Sequence, residues 1–163
     1  MSDITFEEIM VTILAAAQDV MKTYMNIDVY AGKVEKGVAT ISSDIVGVIG
    51  VGGDRVGYVL FSAGIPTVRR IAKDMLMMDD PSDSDMRDAV GELTNNIAGI
   101  FKNKFQEQYG QVALSLPLVV SGIIRPPAEA ASTDPSMKLQ VKGVTIPFQS
   151  MDESVAFRVM VLI

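Results

Sequence analysis

A chain with no histidine and no cysteine must draw any chemistry from carboxylates, amides, hydroxyls, lysine, arginine or tyrosine. The commonest general base, the thiolate nucleophile and the Cys-ligated metal centre are all missing. Usable residue types fall into a pattern in one stretch, Asp88-Ala-Val-Gly-Glu92-Leu-Thr-Asn95-Asn96-Ile-Ala-Gly99. Glu92 and Asn95 stand three apart, so on a helix they leave one face about 60° apart. A carboxylate placed there can pair with a lysine on another protein. A carboxamide offers a donor and an acceptor and can hold an attacking water at a phosphoryl group, as the glutamine of a GTPase does. Asn96, at i+4 from Glu92, is also within reach, so spacing alone does not choose between the two amides. A lone Glu-x-x-Asn is otherwise just two solvated residues. Asp85, Asp88 and Glu92 would together suggest a metal-dependent hydrolase. Three acids on one helix face without histidine, however, make a poorly preorganised site and more often form a solvated acidic face.

The element that must carry these residues is a helix over residues 84 to about 107, capped by Ser84 or a neighbour. On a wheel at about 100° per residue, Met86, Ala89, Val90, Leu93, Ile97, Ile100 and Phe101 form a core stripe. Glu92, Asn95 and Gly99 gather opposite it with Asp85, Asp88 and Gln106, while Asn96 and Asn103 lie on the flank. Lys104 falls on the core side, which predicts that it snorkels or that the helix bends or frays beyond Phe101. Gly91 and Gly99 each cost about 0.8 to 1 kcal/mol relative to alanine inside a helix, which suits a close approach by something else.

The rest of the chain supplies the support. Thr5 and Glu8 form a capping box ahead of Phe6, Ile9, Met10, Ile13, Leu14, Ala17, Val20, Met21 and Tyr24 at helical spacing. Strands are predicted over 29–34, 38–42, 45–51 and 55–61, the last two joined by a turn at Gly52, Gly53 and Asp54. Pro66 suits the first turn of a shorter helix through Val68, Ile71, Ala72, Met75 and Leu76. After the long helix come a run over 112–120, where Pro117 implies an edge strand, a bulge or a strand end, then a loop over 126–136. Strand-like runs over 137–148, broken near Gly143, and 154–163 close the chain. No repeat at a fixed period is visible. Residues 1–163 read as a single α+β domain, helices packed on a largely antiparallel sheet.

Composition narrows the function. The net charge of −6, with Arg69 and Arg70 the only adjacent basic pair, disfavours nucleic acid and anionic membrane as partners. The longest apolar stretch, 45–53, is far shorter than the roughly 18 residues of a membrane span. An acidic N-terminus, MSDITFEE, is unlike a signal peptide. A soluble, cytoplasmic protein is expected.

With these residues in hand, the stretch Asp88 to Gly99 resembles the signature helix of the CheX/CheC/FliY chemotaxis phosphatases: Asp or Ser, three residues, Glu, two residues, Asn. IVGVIGVGGDRVGYVLFS followed by DMLMMDD is similar to the hairpin and short helix of that family. SLPLVVSG is similar to its Ser-Leu-Pro segment. The resemblance runs from about Thr5 to Ile163. It implies two long helices and a shorter one on a largely antiparallel sheet, and a protein phosphatase that stimulates hydrolysis of the phosphoaspartate of a CheY-type response regulator in two-component signalling. The implied catalytic pair is Glu92, engaging the receiver's lysine, and Asn95, positioning the water. Asp88 matches the first motif position, with Asn96 and Gly99 as supporting or partner-binding residues. No cofactor of its own is implied; the Mg2+ belongs to the receiver. The first helix carries no Glu-x-x-Asn, which makes the chain CheX-like. Single-motif members of this kind are homodimers, and the apolar end VMVLI would need cover. The alternative is a non-enzymatic receiver-binding adaptor resembling flagellar switch components.

Overall fold

The computed structural model describes residues 4–37, 39–125 and 142–163. The expected loop over 126–136, the start of the run at 137 and the strand start at Val38 lie outside the described residues. In chain order the elements are α1 (Phe6–Met25), β1 (Val29–Ala31), β2 (Glu35–Lys36), β3 (Ile41–Gly53), β4 (Gly57–Ala63) and α2 (Ile65–Leu76). They continue with α3 (Asp83–Tyr109), β5 (Val112–Leu114), β6 (Leu118–Ile124), β7 (Gly143–Ser150) and β8 (Ala156–Leu162).

Local signals explain the helix starts. The Thr5 hydroxyl accepts from the Glu8 backbone N–H and the Glu8 carboxylate accepts from the Thr5 N–H at 2.8 Å, so two donors that the first turn leaves free are satisfied reciprocally. Pro66 opens α2, where the backbone N–H of Ile65 donates to Asp44 Oδ2 at 2.9 Å. In α1 the buried stripe ends on Met25 rather than Tyr24, which is 43% exposed. The stripe advances in steps of four, from Ile9 through Ile13, Ala17 and Met21 to Met25, so the contact line drifts around the helix.

The strands make one antiparallel sheet in the order β1-β7-β8-β4-β3-β5, with β2 also on β7 and β6 also on β3. The order is a palindrome. β1 and β2 pair with β7 as β5 and β6 pair with β3, and the hairpins β3–β4 and β7–β8 meet along β4–β8. One face carries the helices over a core that includes Ile49, Phe61, Ile146 and Val159. Within it Phe157 lies 5.1 Å from both Phe61 and Phe148, ring centre to ring centre. On the opposite face Val46, Leu60, Met160 and Leu162 are buried in a second cluster. Central strands are therefore apolar on both sides, which is why they read as continuous runs. The VMVLI end is buried within the chain, so the expectation that it needs cover from a second copy is removed.

Several strand boundaries differ from the expectation: the run 29–34 holds only β1, with β2 following it, and the run 112–120 divides into β5 and β6, which reaches Ile124. β3 is one strand of 13 residues, not two, and the polar Ser43 and Asp44 mark a register shift between Ser43 and Val46 rather than a break. β4 starts at Gly57, because Asp54 is held in the turn by Gln111, whose N–H donates to Asp54 Oδ2 at 2.8 Å. Pro117 falls between β5 and β6, in line with a strand end. At the centre of β3, Gly47 lets α3 approach. A Cβ there would sit 2.0 Å from Thr94 Oγ1 and 3.1 Å from Val90 Cγ1.

Candidate functional site

α3 is 27 residues long, and its cap is Ser82 rather than Ser84. The Ser82 hydroxyl accepts from the Asp85 N–H, and the Asp85 carboxylate accepts from the Ser82 N–H at 2.8 Å. Those hydrogen bonds from Ser82 hold the Asp85 carboxyl below the usual carboxylate range. Asp85 thus belongs to the cap. Among the described residues no three acidic side chains come together as a cation site.

The helix is fixed along its length. Arg87 is clamped to Asp83 at 2.9 Å and donates to Ser121 Oγ on β6 at 3.2 Å. Thr94, fully buried, donates to the Val90 carbonyl at 2.6 Å and packs toward Gly47. Met86, Ala89, Val90, Leu93, Ile97 and Phe101 are buried as expected, whereas Ile100 is only half-buried. Beyond Ile97 the buried line runs Phe101, Phe105, Tyr109, in steps of four. Lys104 is accordingly exposed, and the helix neither frays nor needs the lysine to snorkel. A helix crossing a sheet along its i, i+4 ridge rotates its contact line by about 40° per step, which a straight wheel does not follow. Rings carry the line, with Phe101–Phe105 at 5.2 Å and Phe105–Tyr109 at 4.9 Å. The pKa of the Tyr109 phenol is pushed up to about 12 by its hydrogen bond to the Glu8 carboxylate, with burial adding to the shift. That bond ties the end of α3 to the start of α1.

Asp88, Glu92 and Asn95 are exposed, on the side away from the core. Asn96 is turned in: it is half-buried, and its Nδ2 is buried with no hydrogen-bond partner. Geometry therefore separates the two amides that spacing left equal. Gly91 is buried against Val119 and Pro117, 3.5 and 3.8 Å from where its Cβ would be. Nothing lies within 4 Å of a Cβ at Gly99. Gly99, beyond the motif, faces open space, while Gly91, inside it, faces Val119 of β6 and the adjoining Pro117.

α1 stands to β1 and β7 as α3 stands to β5 and β3. Matching the capping residues Thr5 and Ser82 places Ala15 and Gln18 where α3 has Glu92 and Asn95. Ala15 has no charge, and the Gln18 amide is already committed, donating to the Val29 carbonyl at 3.0 Å. The second helix of the pair lacks the carboxylate and a free amide, and the exposed pair belongs to α3 alone.

The family model described as chemotaxis phosphatase CheX matches residues 45–149, more than half of the chain and the whole of α3. Among solved structures the chain is similar to a putative chemotaxis protein from Desulfovibrio vulgaris Hildenborough, with 25% identity, 98% of each chain covered and a TM-score of 0.79. It is also similar to the chemotaxis protein CheX of Desulfovibrio desulfuricans, with 23% identity, 94% of this chain and 97% of that one covered and a TM-score of 0.78. A third similar structure is that of a CheX–CheY–BeF3–Mg2+ complex from Borrelia burgdorferi, with 19% identity, 93% of this chain and 95% of that one covered and a TM-score of 0.65. No curated protein matches.

Proposed function

Given that this chain belongs to the CheX family of chemotaxis phosphatases, we propose that it stimulates hydrolysis of the phosphoaspartate of a CheY-type receiver through Glu92 and Asn95. The observation that carries this reading is the pairing of two exposed side chains, Glu92 and Asn95, on a helix whose other side is locked into the core. An amide held on a rigid element costs little to position, and orientation is most of what such a reaction asks of a protein. A Borrelia relative of the same fold forms a complex with CheY, which supports a receiver as the partner.

In the mechanism, Glu92 pairs with the receiver's lysine and aligns the two surfaces. The Asn95 carboxamide then enters the receiver's active site, accepting from the water's O–H so that its lone pair points at phosphorus. Water oxygen bonds to phosphorus as the bond from phosphorus to the aspartyl oxygen breaks. The receiver's carboxylate and inorganic phosphate are the products, with the water's proton passing to phosphate or solvent. The magnesium that offsets the developing charge is the receiver's, and this chain contributes no metal of its own. Asp88 and Gly99 support the contact, and Asn96, whose amide is turned inward, borders it. We place the protein in the cytoplasm, acting as a homodimer, and note that no helix among the described residues is long and apolar enough to cross a membrane.

The test is phosphoryl loss and receiver affinity measured on three variants. Asn95→Ala should keep receiver binding and lose acceleration by roughly 10²-fold, since only water placement is removed. Glu92→Lys should lose both, because it sets a like charge against the receiver's lysine. Asn96→Ala should retain most activity. Glu92→Lys and Asn95→Ala should melt near the parent, exposed substitutions staying within about 0.5 kcal/mol, while Asn96→Ala removes a half-buried amide whose nitrogen has no partner, so its melting is measured alongside. An unchanged rate in Asn95→Ala would refute the mechanism, and binding without any acceleration by the parent would favour the adaptor reading.

A further inference from the structure

The segment joining β5 to β6 carries an extra residue. Val51 pairs with Leu114 and Val48 with Leu118, so three steps along β3 are matched by four along the other strand. The Ser115 N–H donates to the Gly50 carbonyl at 2.9 Å, which places Ser115 opposite Gly50 and leaves Leu116 and Pro117 together opposite Ile49. The two residues of such a bulge lie to the same side of the sheet, and bulges recur where a side chain is re-aimed beside a site. Ile49 is buried in the helix-side core and Pro117 packs toward Gly91 of α3, so the bulge turns Leu116 to the α3 side. Leu116 is 88% exposed there.

Its position relative to the catalytic pair follows from two contacts. Arg87 reaches Ser121, and Gly91 faces Val119 and Pro117, so α3 and this strand run in opposite directions. Asn95 is one turn beyond Gly91, about 6 Å along the axis, and the strand residues level with it are Ser115 and Leu116. The leucine's backbone is held firmly. The Gly50 N–H donates to Ser115 Oγ at 2.8 Å, the Ser115 hydroxyl donates to the Leu116 carbonyl at 2.9 Å, and the proline ring fixes the next residue.

We propose that Leu116 is an apolar anchor for the receiver domain that Asn95 enters, gripping an apolar surface that borders the phosphoaspartate pocket and setting affinity rather than rate. This rests on the receiver-phosphatase reading above. A stable contact covers about 800 Å2 on each partner, a patch roughly 30 Å across, so any receiver reaching Asn95 also covers Leu116. The exposed residues of α3 at the site are all polar or charged, whereas binding energy concentrates in apolar or aromatic anchors near the centre of a patch. A side chain whose backbone is already fixed loses less freedom on binding.

The experiment compares Leu116→Ser and Leu116→Met with the parent and with Asn95→Ala, using phosphorylated receiver for turnover and a receiver bearing a phosphoryl mimic for binding, with sedimentation of each variant. Leu116→Ser should raise KM and Kd about tenfold with kcat within about twofold, and Leu116→Met should restore near-parental values. Unchanged KM and Kd in Leu116→Ser, with hydrolysis lost in Asn95→Ala, would overturn the anchor and leave the phosphatase reading standing. Receiver binding that weakens in Leu116→Ser, in a protein that never accelerates hydrolysis, would keep the anchor and overturn the phosphatase reading. A parent that binds no receiver refutes both. If Leu116→Ser instead converts a dimer into a monomer, the leucine serves a self-interface and the anchor is wrong.

Discussion

Replacing Gly99 by alanine adds one methyl group to the exposed side of α3, one turn beyond Asn95. Two consequences of opposite sign follow. For the isolated protein the change is favourable: nothing lies within 4 Å of the new Cβ, so no contact is strained, and alanine in a helix interior is preferred over glycine by about 0.8 to 1 kcal/mol. For a domain of this size that is a rise in Tm of about 2 to 4 °C. For the complex the same methyl occupies the space in which the receiver must lie against the helix. Holding the receiver about 1 Å further out is enough to reduce hydrolysis by about 10²-fold, because the water must be aligned with the phosphorus at near-contact distance. The assay is a thermal melt alongside phosphoryl loss at saturating receiver. A lowered Tm would show that the space beside Gly99 is not open. A raised Tm with parental hydrolysis would show that the receiver does not approach the helix at this point, and would remove Gly99 from the contact.

Two further outcomes are expected. Gly47→Ala should destabilise by at least about 1 to 3 kcal/mol, the cost of overpacking, since its Cβ would meet Thr94 Oγ1 at 2.0 Å. Adding Thr94→Ala should recover part of that loss, and equal melting of the single and double variants would show that the clash is relieved elsewhere. Sedimentation at micromolar concentration should report about twice 17.6 kDa; a monomer at all concentrations would count against a dimeric assembly, which now rests on the family and on the apolar edge strand β6, where Leu118 and Ile123 are 61% and 67% exposed.

The helices are the most legible part of the chain because their signals are local. The Thr5 box and the stripe from Met86 to Ile97 can be read within a dozen residues, and both appear in the structure. The side of α3 that carries Glu92 and Asn95 is legible for the same reason. Lys104 and Tyr24 lie elsewhere than a wheel puts them, because a wheel assumes a straight contact line, whereas the line here follows the angle at which each helix crosses the sheet. The inward turn of Asn96 agrees with its flank position, but the burial of its amide nitrogen depends on neighbours that periodicity does not name. The break expected near Ser43 is a register shift, since two serines and an aspartate weaken strand propensity without ending the pairing. Pro117 signals an edge strand, a bulge or a strand end, and only the pairs on both strands select the bulge that re-aims Leu116. The palindromic sheet leaves no period in the sequence because the two halves share topology and little composition.

That palindrome also governs the order in which the chain can become structured. β3 and β4 meet across a short turn, yet β1 pairs with β7, with Val29 opposite Ser150, and β4 must wait for β8, with Tyr58 opposite Leu162. Each half holds the strands that complete the other. Loop closure on that scale is entropically costly and makes assembly slow compared with a chain of local contacts. During synthesis the first half emerges with β1 and β2 unpartnered and the apolar faces of β3 and β4 uncovered, and it stays so until the second hairpin arrives. The two halves are therefore one cooperative unit, and the helix that presents Glu92 and Asn95 becomes rigid only when the sheet beneath it has closed.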